Sequence, residues 1–443
     1  SSPSLQPTSF RMNHRECLEY LEKIQNLGIK FGLDNVREVL SAFHSPHLKY
    51  PSVLVAGSNG KGSVCAMLSR ILTLHGLRAG LFTSPHLVDV EERIRINDDL
   101  IPKSTFCRLL TKLREKVDML IDEKKLLNPP TYFEHICCLA FLYFELQHVD
   151  MALLEVGMGG RFDATNIVHP VACVITTISA EHQKFLGESL GQIASEKAGI
   201  IKPHTPVICG VKDEEALQVI KRRTEELEAP FQNIFDPEGI FSQKRTKKGY
   251  VFRFKRHGET FTYVPSLPGE HQGQNAAIAI ATALTLSQKW KPLEKNKIIQ
   301  GIQTARWEGR LETISHHPLL LLDGAHNEEG AAALRKYAED FLTPPLILVF
   351  AAMRDKNIEK IADILFPLSE KVILTRFPYF RAATTEELKE KALRHKHHLI
   401  LEPDVEQAYK LALKMAGPKG TVLVAGSLFL VGEIKKIIRK ASE

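Results

Sequence analysis

Val53-Leu54-Val55-Ala56-Gly57-Ser58-Asn59-Gly60-Lys61-Gly62-Ser63 is the stretch on which the reading turns. Its short apolar run reads as a buried parallel strand. A glycine-rich turn follows, and then Val64–Leu72, whose apolar spacing is helical. Strand, glycine loop and helix in that order aim backbone N–H groups and a helix N-terminus at an anion. Lys61 adds a point charge for β- and γ-phosphates, and Ser63 adds a hydroxyl for phosphate or Mg²⁺. The spacing departs from the common phosphate-loop pattern. Val55 stands where that pattern has its first glycine, and the hydroxyl comes two residues after Lys61 instead of one. An ordinary strand-to-helix turn is the bland alternative here.

Outward from the loop, more strands end in polar residues. Arg78–Ser84 reads as a second strand, turned by Pro85-His86-Leu87. Met151–Gly157 reads as a central strand interrupted near its end by Glu155. A carboxylate there is costly to bury without a cation or donors, and a Mg²⁺ ligand explains it better than a core residue. Ala172–Ser179 is another buried strand, followed by Ala180-Glu181-His182. Ser84, Glu155 and His182 each follow the C-terminal end of a strand, where ligands sit in open parallel sheets. A shared site is the expectation. The glycine-hinged loop 157–166 carries Arg161 and Asp163, which either pair with each other or face a ligand.

The elements between are read from period and punctuation. Thr131 caps the apolar helix Tyr132–Leu146, with Glu134 as the capping-box partner. Glu196 and Lys197 lie in a helix over residues 191–200, where a solvated face is the simplest role. Phe231–Val264 differs in texture: Tyr250–Arg256 alternates and, with Thr260–Tyr263, reads as an antiparallel hairpin in a small sheet, and the basic run Lys244–Lys248 reads as a solvated hairpin tip. Asn275, early in an Ala-rich helix from His271, either caps it or reads a purine edge. Residues 303–311 read as a linker, after which strand–helix alternation restarts with polar strand-end residues Asp323 and His326. That rhythm predicts a second parallel-sheet domain.

Composition narrows the class. The 443 residues are 44% apolar and 25% charged, which suits a globular enzyme of two or three domains. No apolar run reaches membrane-spanning length, and no membrane partner is expected. The polar first ten residues lack the pattern of a secretory signal. A net charge of +6 suits an acidic small-molecule substrate. No basic run interleaved with aromatics occurs, so nucleic acid is not expected as a partner. Seven scattered cysteines, several in apolar segments, predict reduced thiols and a cytoplasmic compartment.

Seven stretches in fixed order carry a resemblance. They are 58–63 (SNGKGS), 83–87 (TSPHL), 155–166 (EVGMGGRFDATN), 196–202 (EKAGIIK), 271–276 (HQGQNA), 309–312 (GRLE) and 323–327 (DGAHN). Together the chain resembles the folylpolyglutamate synthase/dihydrofolate synthase branch of the Mur ligase superfamily, over nearly its whole length. The resemblance implies an α/β fold. A P-loop-type parallel-sheet domain with a small antiparallel β element spans 1–302, a linker 303–311, and a smaller Rossmann-like glutamate-ligase domain 312–443. It implies an ATP- and Mg²⁺-dependent ligase that joins L-glutamate to a folate or dihydropteroate carboxylate through an acyl phosphate.

It also implies roles for particular residues. Gly57, Asn59, Gly60, Lys61, Gly62 and Ser63 would hold the phosphates with Arg310, and Asn275 would contact adenine. Asp323 and His326 would reach the nucleotide from the second domain, with His326 counted among the catalytic residues beside Lys61, Lys197 and His182. Ser84, Glu155 and His182 would bind Mg²⁺, and Lys197 matches a lysine often carried as a carbamate. Thr131, Phe133, Asp163 and Ala164 match positions that hold a pterin, and Arg161 from the same loop is grouped with them. Glu181 departs from the family, which usually has aspartate there. A monomer is expected. The alternative is another Mur-type amide ligase using a UDP-linked cell-wall precursor, although only about fifty residues precede the first strand.

Overall fold

The computed structural model describes residues 10–28, 32–181, 186–236 and 240–443. Eight strands make the first sheet: β1 (Ser52–Ala56), β2 (Ala79–Phe82), β3 (Ile94–Ile96), β4 (Asp99–Leu100), β5 (Met151–Glu155), β6 (Ala172–Ile175), β7 (Val207–Cys209) and β8 (Phe231–Asn233). Their order is β4-β3-β2-β5-β1-β6-β7-β8. The six from β2 to β8 in that order run parallel, and β3 and β4 form an antiparallel edge. The sheet is buried on both faces because side chains alternate along each strand. Leu54 and Ala56 join the core under helices His14–Gln25, Lys103–Asp122 and Tyr132–Leu146. Val53 and Val55 point the other way, under helices Lys61–Leu74 and His271–Lys289.

The helix Tyr132–Leu146 begins with the expected capping box: Thr131 Oγ1 accepts from Glu134 N at 3.1 Å and Thr131 N donates to Glu134 Oε1 at 2.9 Å. Strands β9 (Ile240–Thr246), β10 (Gly249–Arg256) and β11 (Glu259–Tyr263) form the small antiparallel sheet. Its tip differs from the solvated one expected. Arg245 reaches the second domain, pairing with Asp340 at 3.1 Å and stacking on Phe341.

The second large sheet contains β12 (Glu312–His316), β13 (Leu319–Leu322), β14 (Leu346–Phe350), β15 (Lys371–Leu374), β16 (Leu399–Leu401) and β17 (Thr421–Ala425). Its order is β12-β13-β17-β14-β15-β16, parallel except for β12. One boundary and two elements here differ from the sequence reading. Helix Lys295–Thr304 absorbs the first residues of the expected linker, and β12 and helix Ile358–Leu365 were not anticipated. β12 is a half-exposed edge strand, so its sequence carries no continuous apolar run.

Candidate active site between two sheets

Register brings the predicted residues together. β1 lies between β5 and β6, with Val55 opposite Glu155 and Ala56 opposite Ile175. On the far side of β5, Phe82 pairs with Leu154. The glycine loop, Ser84, Glu155 and the segment after β6 therefore leave one rim of the sheet side by side.

The loop is bolted down at its start and open at its end. Ser58 N donates to Thr177 O at 2.8 Å, and Asn59 N to Thr177 Oγ1 at 3.1 Å. The first intrahelical bond is Val64 N to Gly60 O at 2.9 Å, so the amides of residues 61–63 precede the helical ladder and face outward. Gly60 has φ +87°, and a Cβ there would lie 2.3 Å from Asn275 Oδ1. Only glycine permits this close approach. Asn275 itself is buried inside its helix and donates to Gln272 Oε1 at 2.9 Å, so it is not the cap. Asn59, Gly60, Ser63, Asn275, Arg310 and Asp323 line one cavity of about 410 Å³.

Lys61 Nζ donates to Val156 O at 3.0 Å, which sets its charge beside the end of β5. Glu155 is buried there, and burial raises its pKa to about 7 against the opposing charges of Lys61, Arg310 and Arg93 and a bond from Ser84 N–H. The half-buried Ser84 and this carboxylate offer hard oxygen donors of the kind Mg²⁺ takes alongside phosphate and water. No cluster of three or more His, Cys, Asp or Glu suited to a metal occurs among the described residues. His182 lies outside the described residues. The donor set present fits Mg²⁺ held partly by the nucleotide itself.

Lys197 lies on no solvated face. Its side chain is 1% exposed and pairs with Glu181 at 2.5 Å. Burial lowers its pKa and Glu181 opposes that shift. Asp163 accepts from Gly157 N and Met158 N at 3.0 Å each and from Thr165 N at 3.1 Å, so it pins the glycine loop. Burial pushes its pKa up and these bonds pull it back. Arg161 does not pair with it; the guanidinium is exposed and stacks on Phe162. Thr131 is spent on its cap, Phe133 packs on Phe82 at 5.7 Å and against Gly157, and Ala164 is buried in the turn after Asp163.

The second domain supplies the opposing wall. Asp323 accepts from Ala325 N at 2.8 Å and Leu311 N at 3.0 Å, so its carboxylate shapes the hinge as well as the cavity. His326 Nδ1 bonds Gly324 O at 2.9 Å, which leaves Nε2 as an acceptor. Burial first, then Lys356, lowers its pKa to about 4. Lys356, past the C-terminal end of β14, was missed by sequence reasoning. It feels the charges of Glu181 and Lys61 across the cleft, and burial lowers its pKa. The strand-end rule applied to Glu155 would have found it. Also missed was the tie across the cleft. Asn59 and Asn327 exchange amide bonds at 2.9 and 3.2 Å, and Glu329 Oε1 accepts from Asn59 Nδ2 at 2.6 Å and Thr177 Oγ1 at 2.9 Å.

Comparison with known proteins adds names to this geometry. Residues 55–283 match the Mur ligase middle domain and residues 309–428 the Mur ligase glutamate ligase domain. The chain is 34% identical over 430 residues to the dihydrofolate synthase/folylpolyglutamate synthase of Bacillus subtilis, covering 96% of this chain and 99% of that one. It is 32% identical to the dihydrofolate synthetase of Saccharomyces cerevisiae, covering 93% and 98%. Among solved structures, Mycobacterium tuberculosis folylpolyglutamate synthase with ADP and AMPPCP superposes with a TM-score of 0.88 at 27% identity, over 96% of this chain and 99% of that one. E. coli FolC in complex with DHPP and ADP gives 0.84 at 28% identity, over 98% and 100%.

Proposed function

We infer the chemistry from one premise: the chain belongs to the Mur ligase family, in the branch of the folylpolyglutamate and dihydrofolate synthases. It is an ATP-dependent ligase, using Mg²⁺, that joins L-glutamate to a folate-type carboxylate in an amide bond. A UDP-linked cell-wall precursor is not favoured, since the relatives that cover the whole chain are named for folate ligation.

The site assignments are our reading. The observation that carries them is the convergence of Lys61, Ser84 and Glu155 on one sheet rim, facing Asp323, His326 and Lys356 across a cleft. The substrate carboxylate attacks the γ-phosphorus of ATP and releases ADP. The glutamate amine then displaces phosphate from the acyl phosphate, losing a proton. Lys61, Arg310 and the amides of residues 61–63 neutralise phosphoryl charge, the main need of such a transfer. Asn275, which lines the same cavity beside Gly60, would contact adenine. Ser84, Glu155 and His182 would hold Mg²⁺. When bound, that ion supplies further charge neutralisation at the phosphoryl oxygens. Burial lowers the Lys197 pKa against the opposing charge of Glu181, which brings the neutral amine, the form able to take up CO₂ as a carbamate, closer to reach. Lys356 suits a glutamate carboxylate, and the bare Nε2 of His326 suits a hydrogen bond from the glutamate amine.

The pterin-bearing acid enters through a second cavity, of about 340 Å³. Phe377, Tyr379 and Phe429 stack along it, and Tyr132 also lines it. Thr131 and Phe133 flank Tyr132 in sequence, while Asp163 and Ala164 belong to the glycine loop, and none of the four lines this cavity. Residues 1–302 act as the nucleotide half and 312–443 as the glutamate half. Both walls come from one chain, so a monomer suffices. Seven buried free cysteines suit the cytoplasm, and no helix among the described residues is long and apolar enough to cross a membrane. The test is ADP release by purified protein with ATP, Mg²⁺ and glutamate, offered dihydropteroate and tetrahydrofolate separately. Lys61→Ala abolishes turnover with either acid, and near-normal turnover in that variant would remove the phosphate-loop assignment.

A further inference from the structure

Arg93 is buried to 9% exposure, yet no carboxylate lies within ion-pair distance of it among the described residues. Isolated buried guanidinium groups are costly and are ordinarily paired. The neighbouring acids are occupied. Glu92 accepts from Leu87 N and Val88 N at 2.9 Å each and from Asp89 N at 2.6 Å. Glu91 pairs with His14 at 2.6 Å. Glu155 lies within the field of Arg93 but takes its backbone bond from Ser84.

The guanidinium is also held in a set orientation. Its backbone carbonyl accepts from Thr83 N at 3.0 Å, which fixes the start of β3 beside the end of β2. Arg93 Nε donates to His86 Nδ1 at 2.8 Å, so His86 serves as an acceptor. The guanidinium carbon lies 5.2 Å over the centre of the Tyr132 ring. With Nε and one face thus occupied, the two terminal nitrogens remain for a ligand. Arg93 lines the aromatic cavity, and its charge also acts on Glu155 at the nucleotide end. It therefore stands between the face suited to a flat ring and the strand end suited to the γ-phosphate.

We propose that Arg93 is the residue that binds the reacting carboxylate of the acid substrate and presents it to the γ-phosphorus. The inference rests on the folate-ligase reading above. A planar guanidinium fork matches a carboxylate in two parallel hydrogen bonds, which an ammonium cannot do. The pairing keeps the acid ionised and in line for attack, and His86 and Tyr132 act as positioning residues.

Wild-type turnover of a pterin acid with ATP and glutamate is measured first; its absence would overturn the folate reading itself, and this proposal with it. Binding of the acid and of its carboxamide is then compared, in wild type and in Arg93→Gln and Arg93→Lys. Charge-assisted bonds of this kind imply a preference for the acid on the order of tenfold to a hundredfold. We expect wild type to show it, Arg93→Gln to lose it through a raised KM for the acid, and Arg93→Lys to keep part of it. The KM for glutamate, the Mg²⁺ dependence and ADP affinity should all stay within about twofold. A wild-type protein that binds acid and carboxamide equally would sink the proposal even if neither variant folds. So would a rise confined to the glutamate KM, or a fall in kcat with the acid KM unchanged.

Discussion

His326 shows how one side chain's surroundings choose its chemistry. Its ring proton is committed to Gly324 O, and burial with the nearby Lys356 charge holds its pKa at about 4, below the ordinary 6.5. The fold therefore favours the neutral ring. Its contribution to stability is complete above about pH 6.5 and is lost as pH falls towards 4. An NMR titration of the ring nitrogens should give a midpoint near 4, with the proton on Nδ1 at neutral pH. A midpoint at the ordinary histidine value would show that neither burial nor Lys356 depresses the ring. Asp163 teaches the complementary lesson. Three backbone amides already claim its carboxylate, so its replacement disturbs the loop before it disturbs any ligand.

At the scale of the element, the phosphate loop depends on one backbone conformation. Gly60 takes φ +87° and leaves room for Asn275. Gly60→Ala brings a left-handed alanine, costing about 1–2 kcal/mol, and a clash that must move Asn275. The expected result is a lower melting temperature together with an ADP affinity weakened at least tenfold. Wild-type ADP affinity in Gly60→Ala would show that the contact with Asn275 does not shape the cavity. The helix Tyr132–Leu146 is better insulated. Its capping box was legible because both partners lie within four residues of sequence.

For the whole molecule, the helix Glu328–Phe341 reaches across to the first domain at both of its ends. Near its start, Glu329 and the capping residue Asn327 bond the phosphate loop; at its end, Asp340 and Phe341 receive Arg245 from the small sheet. Closure is thus linked to the loop that holds the nucleotide. Glu329→Ala removes two of these bonds from an exposed side chain, a loss of about 1 kcal/mol that populates a more open form roughly fivefold more. Small-angle X-ray scattering of the nucleotide-free variant should show a larger radius of gyration than wild type. An unchanged radius would mean the tie does not govern closure.

Much of this was legible in the chain itself. Parallel strands buried on both faces read as unbroken apolar runs, and each polar interruption at or after a strand end marked a residue of the proposed site: Lys61, Ser84, Glu155, Asp323. Those signals are local, because the strand's own period and its terminal residue lie within a few positions of each other. The roles that changed, or escaped notice, belong to side chains whose partners are distant in sequence. Period alone left Lys197 on a solvated helix face until Glu181 closed over it, left Asn275 open between a cap and a purine contact until Gly60 met it, and left Arg245 at a free tip until Asp340 answered it. Sequence alone determined which elements form and which of their ends are polar. Tertiary packing decided which charges are buried, which are paired and which, like Arg93, are left without a counter-ion among the described residues, since desolvation depends on what folds over a group and not on its neighbours along the chain.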